Sequence, residues 1–246
     1  MILTIAVREW RSLFLSPLAW TVLAAQQALL AWIFLLLVQD FQAWQGRLAG
    51  VENAPGVTDL VVAPLFRVVA WGLLLVTPLA TMHLFSNERR TGSLDLLLSA
   101  PVSAVEMVLG KYLGAVWFLW IGAGLAGLMP LALAFGTALD FGKLLAGLLG
   151  LSLLAAGFAA AGLYLSTLTV QPIAAAAATF GLLLGLWIVD VQETTRRLFG
   201  TLSPLRHYDA LLLGVVNSAD LAYYLLFSAL FLGLAIRRID DLRLRD

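Results

Sequence analysis

From Leu18 to Val38 the chain carries no charged residue, and apolar stretches with uncharged centres recur at 60–84, 113–135, 144–167, 173–189 and 219–236. About 20 apolar residues in a helix match the hydrocarbon core of a bilayer. In lipid the backbone must satisfy its own hydrogen bonds, so stretches of this length specify helices. Composition agrees: 61% of the 246 residues are hydrophobic and 12% are charged, against about 25% charged in a soluble globule. The expectation is an all-α integral membrane protein with six transmembrane helices, forming one transmembrane domain over 1–246.

The connections can be read in the same way. Residues 1–17 form an interfacial elbow helix, with Leu3, Ala6, Val7, Trp10, Leu13 and Phe14 on one face and Thr4, Arg8, Arg11 and Ser12 on the other. Arg8, Glu9 and Arg11 interrupt any signal-peptide core, so no cleavable leader is expected. Residues 39–59 read as a polar loop. Residues 190–218 read as short or re-entrant helices between the fifth and sixth spans, because neither of their apolar stretches is long enough to cross. Gly110-x-x-x-Gly114 and Gly181-x-x-x-Gly185 allow close helix packing. Six spans put both termini on the side of the 85–112 segment. That side holds nine basic residues against six on the other, which assigns it to the cytoplasm.

The 83–114 stretch, HLFSNERRTGSLDLLLSAPVSAVEMVLGKYLG, is the longest polar interruption near the middle of the chain. Gly92 breaks a helix, and Ser93 offers a cap to a new one. Leu94, Leu97 and Leu98 share a face at i, i+3 and i+4, and Asp95 sits in the first turn, where the helix dipole favours an acid. Pro101 ends this helix. Ser103 and Glu106 then form an S-x-x-E capping box. A leucine face flanked by charge must be covered by lipid headgroups or by a partner protein.

This stretch resembles the coupling loop of ABC type-2 transporter permeases, in particular the small gliding-motility-type permeases. The likeness rests on Met82, Glu88, Arg89, Gly92, Leu94, Leu96, Leu97, Leu98, Pro101, Val102, Gly110, Lys111 and Gly114. His83, Ser93 and Asp95 depart mildly from the family pattern. The resemblance implies a bacterial inner-membrane subunit whose cytoplasmic coupling helix, between spans two and three, docks on a separate ABC ATPase. It implies that ATP and Mg are bound by that ATPase, with no cofactor in this chain. A second permease subunit, identical or homologous, is a further expected partner, and a periplasmic accessory protein is another candidate. By the same resemblance the ATPase interface comprises Glu88, Arg89, Arg90, Gly92, Ser93, Leu94, Asp95, Leu97 and Leu98.

Other chemistries lack their residues. Neither a P-loop nor H-E-x-x-H nor G-x-S-x-G occurs, so this chain is expected not to be an enzyme. The absence of cysteine excludes disulfides and thiol catalysis. Zero formal net charge argues against a nucleic-acid partner. Arg67, in the outer third of the second span, is the candidate path or outer-gate residue; its alternative role is to snorkel or to pair with the 190–218 region. The uncharged spans favour a hydrophobic, lipid-like or polymeric cargo, and the resemblance implies an exporter. The rival reading is a membrane scaffold whose loop recruits a partner without transport.

Overall fold

The computed structural model describes residues 1–48, 55–94, 102–188 and 203–244, and these are helical almost throughout. In chain order they form α1 (Ile2–Leu15), α2 (Pro17–Leu48), and α3 (Ala63–Thr81), which is entered through a π-helical turn, Thr58–Val62. Then come α4 (Ser86–Thr91), α5 (Ala104–Leu128) with a 3₁₀ extension Met129–Phe135, α6 (Phe141–Leu168), α7 (Pro172–Ile188), α8 (Pro204–Leu212) and α9 (Ser218–Arg243). Among the described residues, five helices are long and apolar enough to cross a membrane. The chain is a multi-pass membrane protein. The sixth apolar helix, α7, has 17 residues, about 25 Å at 1.5 Å per residue and so at the short limit for a span.

Several boundaries differ from those expected. Helix α2 runs ten residues past Val38, because the sequence after it, QDFQAWQGRL, is polar without containing a proline or an early glycine. Polarity ends a span, but it does not end a helix. The capped helix at Ser103 and the third span form one continuous helix, α5, through Gly110-Lys111. Its cap is the expected reciprocal box: the Glu106 N–H donates to Ser103 Oγ at 3.2 Å, and the Ser103 N–H donates to Glu106 Oε2 at 3.1 Å. Helix α9 likewise continues to Arg243, past the apolar limit at 236. In the 190–218 region the described part is α8 and the turn that follows it; residues 189–202 lie outside the described residues.

Helix α6 is the central helix. Its glycines and alanines leave room for α3, α8 and α9 against its flanks, the packing that a chain in lipid must use when no hydrophobic effect drives its helices together. Helices α2 and α9 carry the apolar exterior, with Trp20, Leu29, Trp32, Leu225, Leu226 and Leu230 exposed. In water a patch of that size would be a liability, whereas in a bilayer it is the lipid-facing wall.

Helix α1 keeps Ala6, Trp10, Leu13 and Phe14 on one face, as expected, but Leu3 and Val7 leave it. Ile2, Ile5, Ala6, Glu9, Trp10, Leu13 and Phe14 turn toward the protein, while Leu3 and Val7 are exposed beside Arg8 and Arg11. The partner of α1 is α5, through Gly110 and Gly114. A Cβ at Gly114 would lie 2.8 Å from that of Glu9 and 3.0 Å from the Ala6 carbonyl. At Gly110 it would lie 2.6 Å from Ile5 Cβ. At the other glycine pair, Gly181 and Gly185, an added Cβ would meet nothing within 4 Å among the described residues.

Gly114→Val should therefore separate α1 from α5. Overpacking of this kind typically costs about 1–3 kcal/mol. Thermal unfolding in detergent should show a clear drop in midpoint for Gly114→Val and essentially none for Gly124→Ala, which meets open space.

Candidate functional site

The segment after α3 reads from its sequence as a polar interruption between spans. Its first part instead folds into the body of the chain. Leu84, Phe85 and Ser86 are buried, and the Ser86 hydroxyl donates back to the Met82 carbonyl. Leu94 is buried as well. It joins Leu84, Phe85, Met107, Val108, Leu163 and Ile239 in a small core separate from the main one. Between these anchors lies α4, six residues long, closed by Gly92 in the left-handed conformation at φ +70°. A residue with a Cβ is strained there, so the glycine allows the reversal.

Helix α4 is held by charge. Lys111 Nζ lies 2.7 Å from Glu88 Oε1 and 3.0 Å from Glu9 Oε1, and it sits 5.1 Å from the centre of the Phe85 ring. The lysine side chain is 2% exposed, and the two glutamates are 14% and 15% exposed. One ammonium thus joins three elements, α1, α4 and α5. A buried charge is tolerated when it is paired and hydrogen-bonded, and two carboxylates supply both conditions. Arg89 adds a fourth element: its Nη1 donates to the Thr167 carbonyl at the end of α6 at 2.7 Å. From α9, Arg243 Nη1 donates to the Val102 carbonyl just before α5 at 3.3 Å.

The residues assigned to an ATPase contact therefore fall into three groups. Glu88, Arg89 and Leu94 are turned into the chain. Arg90 and Gly92 are exposed, and Ser93 is half-buried, its hydroxyl 2.9 Å from that of Thr91. Asp95, Leu97 and Leu98 lie outside the described residues. Sequence reading treated Glu9 only as an interruption of a leader and Lys111 only as part of a motif. The available signal was position: Glu9 falls on the inward face of α1 with Ile2, Ile5 and Leu13, where an acid needs a cation.

Arg67 lies at the other end of the bundle. Its Nη2 is 2.6 Å from Asp209 Oδ1 on α8, with side chains 55% and 37% exposed. It pairs with the 190–218 region, one of the two alternatives to a path role, and exposed pairs of this kind contribute only about 0–1 kcal/mol. Helix α8 is positioned by burial instead. Tyr208 is fully buried and donates its hydroxyl to the Phe66 carbonyl at 3.0 Å, and that burial raises its pKa well above the usual phenol value. Lys143 and Asp59, 2.6 Å apart, tie the start of α6 to the turn before α3.

The sequence model of a family described as ABC-2 family transporter protein matches residues 4–238, nearly the whole chain. Comparison with curated proteins returned no match.

Lys111→Met should leave Glu9 and Glu88 facing each other without a cation. Breaking a buried pair typically costs about 3–5 kcal/mol. Adding Glu9→Gln and Glu88→Gln to Lys111→Met should restore much of that loss, which thermal unfolding of the single and triple variants would measure. Equal stability of the two variants would contradict the buried-charge account.

Proposed function

The chain belongs to the ABC-2 transporter family, and on that premise we propose that it is the transmembrane permease subunit of an ABC exporter. A separate ATPase subunit docks on the 85–112 segment and supplies the energy; membership of the family implies such a partner. The subunit resides in a bacterial inner membrane with both termini cytoplasmic, and it works with a second permease subunit. A hydrophobic or lipid-like cargo fits its uncharged spans.

The observation that carries this reading is the Glu88–Lys111–Glu9 cluster. A docking segment transmits force only if it is fastened to helices that move. Here the anchored part of the segment is joined by one buried ammonium to α1 and α5, and by Arg89 to α6. Helices α1, α4 and α5 then move as one body. The ATPase-facing surface is narrower than the full motif. It comprises Arg90, Gly92 and Ser93 together with Asp95, Leu97 and Leu98, while Glu88, Arg89 and Leu94 act behind it as anchors. The gliding-motility-type subfamily remains part of this proposal through the motif alone.

Purification of the tagged chain from its native host should bring an ABC ATPase at equal stoichiometry and yield a complex that hydrolyses ATP. Leu97→Arg should abolish the association while the permease stays folded. A chain that retains partners other than an ATPase would favour the scaffold reading. An ATPase that stays bound to Leu97→Arg would remove the leucine face from the interface.

A further inference from the structure

A cavity of about 250 Å³ opens where the end of α1 meets the start of α2 and the end of α3. Its apolar wall is formed by Val22, Val76, Ala80 and Phe118. Its other end is polar, with Ser12, Ser16, His83 and Asn87. The cavity lies below the roughly 300 Å³ at which pockets for whole small molecules begin, so it suits part of a longer molecule. Leu18 and Leu79 also line it and are 49% and 37% exposed. The mouth therefore opens sideways, toward the surface that lipid covers.

Charge at the mouth has one sign. Arg90 Nη2 is 3.4 Å from Asn87 Oδ1, which brings its guanidinium to the polar end. Arg8 and Arg11 are exposed on α1, on a shallow strip that shares Ser12 and Ser16 with the cavity. The acids on the two elements that carry these arginines, Glu9 and Glu88, are engaged by Lys111. The Ser16 bend joins a surface helix to a span, which sets the cavity at the boundary between headgroups and acyl chains.

We propose that this elbow cavity binds an anionic phospholipid of the adjacent leaflet, with one acyl chain against Val22, Val76 and Ala80 and its phosphate among Arg11, Arg90 and His83. The inference requires only that the chain be embedded in a membrane; it shares Arg90 with the proposed ATPase-facing surface, so its test is run without the ATPase.

The test uses the full chain without its ATPase, in phosphatidylcholine nanodiscs doped with phosphatidylglycerol that carries a diazirine on its acyl chain. Irradiation should label peptides containing Val22 and Val76 to Ala80. Native mass spectrometry should show one retained phosphatidylglycerol, reduced at least tenfold by Ala80→Phe, which fills the cavity. Arg11→Gln and Arg90→Gln should each lower the preference over phosphatidylcholine about fivefold, the effect of one basic residue near an anionic surface. Inorganic phosphate should not displace the lipid.

Labels spread evenly over the exposed faces of α2 and α9 would overturn the proposal. Full lipid retention by a folded Ala80→Phe would do the same. Displacement by phosphate would assign the site to a free anion, and chain-to-chain crosslinks at the cavity would assign it to a second copy; either overturns the lipid assignment. If Ala80→Phe fails to fold, the labelling map of the unaltered chain decides.

Discussion

An ammonium group withdrawn from water has to be answered by negative charge, and Lys111 is answered twice. Its two carboxylates come from segments about 80 positions apart, Glu9 on α1 and Glu88 on α4. Removal of either acid leaves one carboxylate for the ammonium, and removal of the lysine leaves two carboxylates at close range in a low dielectric. The position of the elbow helix, the direction of α4 and the seat of Phe85 under the ammonium all follow from this contact. Gly110 and Gly114 serve the same contact by letting α1 approach closely enough for Glu9 to reach it.

Elsewhere the fold obeys the solvent it lives in. Lipid gives apolar side chains no reason to meet, so the helices associate through small residues and through polar groups with few alternatives. Gln27, in the first half of α2, donates to the Gly122 carbonyl of α5 at 2.8 Å, and Tyr224 of α9 donates to the Pro204 carbonyl at 2.7 Å. Such bonds position helices that burial alone would leave free to slide. The charges collect at the two ends, where water is near, and at the end containing α4 a single buried ammonium joins three elements.

The sequence made the class of fold, the approximate spans and the Ser103 capping box legible, because each rests on local pattern: uncharged length, helix period or a four-residue signature. Helix ends were less legible. The loss of hydropathy after Val38 and after Ile236 marks where lipid stops, and the backbone continues as helix in both places. The site was legible as a motif but not as a geometry. Glu88, Arg89 and Leu94 carry the family pattern, and nothing in their spacing discloses that they face inward. Their partners, Glu9, the Thr167 carbonyl and Ile239, are distant in sequence and come together only when α1, α6 and α9 pack. Arg67 is the contrasting case. An arginine stem in a span has few places to go, and a pair in the 190–218 region was among them.

The central claim is that α1, α4 and α5 move as one body because Lys111 fastens them. The chain has no cysteine, so spin labels can be placed singly, one at Arg8 on α1 and one at Arg90 on α4. Double electron–electron resonance on the assembled complex would then give the α1–α4 distance with and without ATP. The account predicts one narrow distance, unchanged by nucleotide, that broadens when Lys111→Met is introduced. A distance that shifts with nucleotide, or one that stays narrow in Lys111→Met, would contradict it.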